Sequence, residues 1–180
     1  MSATEISAAL QRAQSVLLRR PSAGLHEDAP ATARWSGGTR MVAHHPNGAQ
    51  VQTDMPIELG GTGDQVSPGW LMRAGFASCT ATLIAMVAAE RGMALESVDV
   101  TTSSQSDTRG LLGMSDADGT PVPAGPGHMQ TVVRVSVRNA SAEDARALVD
   151  EAYRRSPIAC AVQGAVPVAL RVDVDVLKAA

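Results

Sequence analysis

Two cysteines, Cys79 and Cys160, are the side chains of this 180-residue chain best suited to carry covalent or redox chemistry. A thiol attacks as the thiolate, so a reactive cysteine needs a cation or a helix N-terminus beside it. Cys79 lies about three turns past Pro68, where a predicted helix begins, and a helix dipole fades within its first turn. A side-chain cation must therefore do the work. Arg73 sits on another side of the same helix. Arg40, at the end of the Ser36-Gly37-Gly38-Thr39 break, is the better candidate, because a loop can carry it over the helix. Two packed thiols are the plain alternative, since cysteine ranks among the most buried residue types. Two cysteines do not make a disulfide scaffold in a chain of this length, which leaves reduced thiols or a transient catalytic disulfide.

Other chemistries fit less well. His44 and His45 are adjacent in a predicted strand and point to opposite faces, so they do not share a metal, and no other His/Cys spacing suits zinc. The glycine-containing stretch 55–66, MPIELGGTGDQV, precedes a helix as a phosphate cradle would. It lacks both the Lys-Ser/Thr ending of a P-loop and the GxGxxG spacing, and reads as a connector. No cofactor and no metal are expected.

Composition narrows the partners. Only Trp35, Trp70, Phe76 and Tyr153 are aromatic, too few for the stacking platforms of single-strand nucleic acid binding. A net charge of −3 and a pI near 5.8 provide no basic stripe for DNA or an anionic membrane. The opening MSATEISAALQRAQ has no secretory layout, and the nearly uncharged run 74–89 is short and rich in small residues for a bilayer span. A cytoplasmic location is expected.

The stretch that must position Cys79 runs over 67–92, SPGWLMRAGFASCTATLIAMVAAERG. Ser67 with Pro68 is a helix start and Gly92 a stop. Apolar residues point nearly all round it, so the helix needs burial on most sides, and a partner subunit is one way to cover it. Before it, Ser2 to Glu5 form a capping box for an amphipathic helix ending at Pro21. Residues 31–54 alternate in three segments, with an Asn47-Gly48 hairpin signal between the last two. After it, 95–105 and 129–138 read as strands, the second with Val132, Val135 and Val137 as its apolar positions. Ser141 to Asp144 cap a second amphipathic helix that ends near Ser156-Pro157. Cys160 falls in a short turn or helix, and 167–177, PVALRVDVDVL, alternates as a closing strand. Strands in runs with helices packed on one side give an α+β domain.

WSGGTR, then PIELGG, then SPGWLMRAGFASC, and a further cysteine roughly eighty residues on, together resemble the OsmC/Ohr family of osmotically inducible and organic hydroperoxide resistance proteins. Pro68, Leu71, Ala74, Gly75, Phe76 and Cys79 carry the most specific part of the likeness. It divides the chain into an N-terminal helix and connector (1–30) and an OsmC-like domain (31–180). The resemblance implies an antiparallel sheet packed on a long buried central helix, in an intertwined homodimer with active sites at the subunit interface. It also implies peroxidase chemistry. Cys79 would reduce an organic hydroperoxide, Cys160 would resolve the oxidised sulfur as a disulfide, Arg40 would hold the thiolate, and a dithiol such as a lipoylated protein would restore both cysteines. Trp70 and Phe76 would suit an alkyl tail. Gly69 replaces the glutamate that pairs with the arginine in the family, with Glu58 the one substitute in view. That replacement motivates the alternative, an OsmC-like dimer that binds a small apolar ligand with little or no turnover.

Overall fold

The computed structural model describes residues 2–176. Helix α1, Ala3–Arg19, starts with the capping box expected at Ser2 and Glu5. Strands β1 (Thr32–Gly37), β2 (Arg40–His44) and β3 (Gln50–Thr53) form one antiparallel sheet in sequence order. Gly48, at φ 93°, sits in the turn that brings β3 back, a conformation that glycine adopts without steric cost. Helix α2, Pro68–Glu90, follows, with the Ser67 hydroxyl accepting from the Trp70 N–H. Gly92, in the left-handed region at φ 67°, lets the chain leave α2, and the Met93 N–H closes back on the Ala88 carbonyl at 2.8 Å. Strand β4 (Ala94–Gln105), the short helix α3 (Thr108–Leu111), strand β5 (His128–Arg138), and helices α4 (Ala142–Arg154) and α5 (Pro157–Gly164) complete the order.

The core lies where α2 and α4 cross one face of the β4–β5 hairpin. Ile84, Val87 and Ala88 of α2 meet Leu148 and Ala152 of α4, all of them buried. The strands add Leu95, Val98, Val100, Val133, Val135 and Val137, with Val98 opposite Val135 and Val100 opposite Val133. A register shift between Leu95 and Ser97 puts Leu95 on the same face as Val98. The inward face of β5 is therefore the odd-numbered one, Met129 to Val137, and Val132, expected inside, lies on the outer side at 40% exposure.

By length and composition α2 would pass as a membrane span. Its packing against α1, β4, α4 and α5 makes it a core helix. Within one chain only the stripe of Phe76, Thr80, Ile84, Val87, Ala88 and Ala89 is fully covered, and Trp70 and Met72 remain exposed. The expectation of burial on most sides is met along one face.

Two further regions lack cover. The β1–β2–β3 sheet packs substantially only on itself. The closing strand expected over 167–177 does not form: residues 165–176 adopt no regular structure, with Val168 91% and Leu170 89% exposed, and Leu177 lies outside the described residues. An alternating segment becomes a strand only when another strand accepts its hydrogen bonds, and none among the described residues does.

Candidate functional site

Cys79 lies on α2 between Phe76 and Thr80 of the buried stripe and is itself half-buried. The Phe76 ring faces Tyr153 of α4 with centroids 6.1 Å apart, and the buried Thr80 hydroxyl donates to the Phe76 carbonyl at 3.0 Å. The wall opposite Cys79 comes from the junction of α4 and α5. There Ser156, fully buried, directs its hydroxyl at Cys79 and donates to the sulfur, with Oγ to Sγ at 3.2 Å. Ile158, two residues on, reaches toward Gly75 of α2, where an added Cβ would lie 3.5 Å from the Ile158 Cδ1.

Cys160 is placed differently. It is exposed, its backbone N–H donates to the Ser156 carbonyl at 2.9 Å, and its thiol donates to the Arg154 carbonyl at 3.3 Å. Both thiols are free, and Cys160 stands one helical turn past the residue that touches Cys79. The contact at the Cys79 sulfur is thus a hydroxyl and not the second thiol.

Arg40, at the start of β2, makes no hydrogen bond to Cys79 within the chain. Its Nη2 reaches Asp64 at 2.5 Å, the Thr62 hydroxyl at 2.8 Å and Asp54 at 3.4 Å. Asp64 first and Asp54 after it hold the guanidinium more firmly protonated than usual. Glu58, the expected substitute for the carboxylate absent at Gly69, makes no ion pair among the described residues; the carboxylates that pair with Arg40 are Asp54 and Asp64. Arg73 turns away to donate to Ser104 at 3.2 Å.

Asp54 organises the loop that leads into α2. It is only 2% exposed, yet every acceptor site is used. Oδ1 accepts from the Thr39 hydroxyl at 2.6 Å and the Met55 N–H at 2.8 Å, and Oδ2 accepts from the Thr62 N–H at 3.0 Å. The Thr62 Oγ1 lies 2.7 Å from both Asp54 Oδ2 and Asp64 Oδ1, and its single proton serves one of them at a time. The loop folds so tightly here that a Cβ on Gly61 would sit 1.8 Å from the Met55 carbonyl oxygen, so only glycine fits. The Thr39 hydroxyl first, then the Thr62 N–H and hydroxyl, hold the Asp54 carboxyl well below the usual carboxylate range, while burial opposes them.

The sign of the resulting pH dependence follows. Because the folded-state value is depressed, the stabilisation from Asp54 is complete above the unfolded carboxylate value near 4 and is lost as pH falls below it. Asp64, held down chiefly by Arg40, acts in the same direction. Thermal denaturation midpoints should therefore fall between about pH 4 and pH 2. Asp54→Asn should start lower at pH 7 and show a shallower acid slope; parallel curves would refute this account of the loop.

Among the described residues no three His, Cys, Asp or Glu side chains converge as metal ligands. Ser156, Asp54 and Asp64 escaped the sequence reading. Ser156 was legible only as a helix boundary before Pro157, and nothing in a run such as DMPIELGGTGD tells which carboxylate turns inward.

Comparison with known proteins agrees with this architecture. Similar solved structures include an organic hydroperoxide resistance protein OsmC from Legionella pneumophila, 24% identical over 78% of this chain and 92% of that one, with a TM-score of 0.56. An OsmC-like protein from Mycoplasma pneumoniae is 17% identical over 78% and 90%, with a TM-score of 0.64. An organic hydroperoxide resistance protein from Elizabethkingia anophelis is 20% identical over 78% and 91%, with a TM-score of 0.57. No curated protein matches the sequence. At these identities the likeness establishes the fold. The family model described as OsmC-like protein matches residues 61–171, more than half of the chain, spanning the tight loop, α2 with Cys79, both long strands and the α4–α5 junction. This chain belongs to the OsmC-like family.

Proposed function

We propose that the protein is a cytoplasmic thiol peroxidase that reduces organic hydroperoxides at Cys79. The observation that carries the reading is a half-buried sulfur, flanked by Phe76 and Thr80 on a core helix and met by a buried hydrogen-bond donor, in a family with neighbours named for organic hydroperoxide resistance. The Cys79 thiolate attacks the terminal peroxide oxygen, the O–O bond breaks, and the alkoxide leaves as an alcohol after taking up a proton. Sulfur is oxidised to a sulfenic acid. A second thiol condenses with it, expelling water and forming a disulfide, and an external dithiol reduces that disulfide by two exchange steps while forming its own.

Cys160 is the second thiol available within the chain. For it to meet Cys79, its thiol must leave the Arg154 carbonyl to which it now donates. Support for a homodimer comes from the two uncovered regions, the β1–β3 sheet and residues 165–176, which a second copy would cover. In such a dimer Arg40 of one subunit serves Cys79 of the other.

Titration of the reduced protein with cumene hydroperoxide, followed by thiol counting, tests the reading. We expect rapid loss of both thiols per chain with one alcohol formed, from a species that sediments as a dimer. Loss of one thiol would assign resolution to the external dithiol alone. Two intact thiols would overturn the peroxidase and leave the binding of a small apolar ligand.

A further inference from the structure

We infer that the Ser156 hydroxyl fixes the direction of the Cys79 sulfur and favours its attack, a role that rests on the peroxidase reading of Cys79.

Ser156 is the N-cap of α5, and an N-cap serine ordinarily turns its hydroxyl onto its own helix. Three other serines of this chain do so: Ser2 accepts from the Glu5 N–H, Ser67 from the Trp70 N–H and Ser141 from the Asp144 N–H. Ser156 makes no such bond, and its hydroxyl points across the helix interface to Cys79. It is also fully buried, where a polar group ordinarily has a hydrogen-bond partner. A hydroxyl has one proton to give, and at 3.2 Å the Cys79 sulfur receives it. Sulfur is a weak acceptor as a thiol and a much better one when ionised, because hydrogen bonds to a charged partner are roughly twice as strong as neutral ones. The bond therefore sets where the attacking sulfur points.

The backbone supports the placement. Ser156 donates its N–H to the Tyr153 carbonyl at 3.2 Å and accepts from the Cys160 N–H at 2.9 Å, which pins the hinge between α4 and α5. Phe76 and Tyr153 close the apolar side. An oxygen at this point cannot form a disulfide, so Ser156 holds the reacting atom without competing with the resolving thiol.

The test reads the sulfur itself. In a Cys160→Ser background, so that one thiol remains, the rate of alkylation by iodoacetamide is followed against pH. Ser156→Ala should slow alkylation about tenfold at neutral pH, and Ser156→Thr, which keeps the hydroxyl, should restore it. An alkylation rate unmoved by Ser156→Ala would overturn the inference while leaving the peroxidase reading intact. A slowed rate in a protein whose thiols ignore hydroperoxide would do the reverse. Should Ser156→Ala not fold, Ser156→Cys serves: mild oxidation with diamide should join it to Cys79, seen as a mass loss of two hydrogens. Failure of that bond to form in the folded variant would overturn the juxtaposition and the inference with it.

Discussion

Cys79→Ser should lower the proposed turnover of cumene hydroperoxide by about a thousandfold or more, while the variant should keep the circular dichroism spectrum and melting behaviour of the parent. Only an ionised, polarisable sulfur attacks the peroxide O–O bond at useful rates. A serine hydroxyl stays protonated at neutral pH. The exchange is mild structurally, because the site is half-buried and the Ser156 hydroxyl still finds an oxygen to bond. Cys160→Ser supplies the contrast. It should leave the first oxidation of Cys79 at its original rate and slow only the recycling that follows, because Cys160 lies on the outer side of α5 and does not touch the reacting sulfur. A Cys79→Ser protein with full turnover would end the proposal.

The second large effect is on stability. Leu148→Ala should cost about 3 kcal/mol, within the range measured for buried leucines, and lower the melting midpoint by roughly 10 °C. Leu148 is fully buried between Ile84, Val87 and Ala88 of α2 and Ala152 of its own helix, so its removal leaves a void that rigid neighbours do not fill. A cost of this size is a large share of the total stability of an ordinary domain. Val132→Ala, on the outer side of β5, should change the midpoint little. Equal effects at both positions, measured by urea denaturation, would place the core elsewhere.

The elements that carry the site were legible because their signals are local. Ser67 with Pro68, the boxes Ser2 to Glu5 and Ser141 to Asp144, and the Asn47-Gly48 turn each act over a few residues, and the chain uses all of them. Register was harder. The shift between Leu95 and Ser97 is one residue, invisible in a run of mixed polarity, and the inward face of β5 depends on how the helices lie. What surrounds Cys79 depends on distant segments meeting. Between Cys79 and Ser156 lie the rest of α2 and four further elements, β4, α3, β5 and α4, and a serine before a proline reads equally well as a plain helix start. Arg40 was singled out as a candidate partner of Cys79, whereas the carboxylates that hold it, Asp54 and Asp64, were not legible, because their selection rests on the turn that Gly61 alone permits. The closing segment read as a strand on its alternation, correctly as a pattern, yet a strand is a property of a pair.

That last point bears on how the molecule comes into being. Residues 165–176 carry six large apolar side chains on an unpaired ribbon, including Val168, Leu170, Val172 and Val174. A newly made single chain thus carries an adhesive segment that any exposed sheet edge will capture. Refolding from denaturant then becomes a race between productive pairing and clumping, and its yield depends on how soon a proper neighbour arrives.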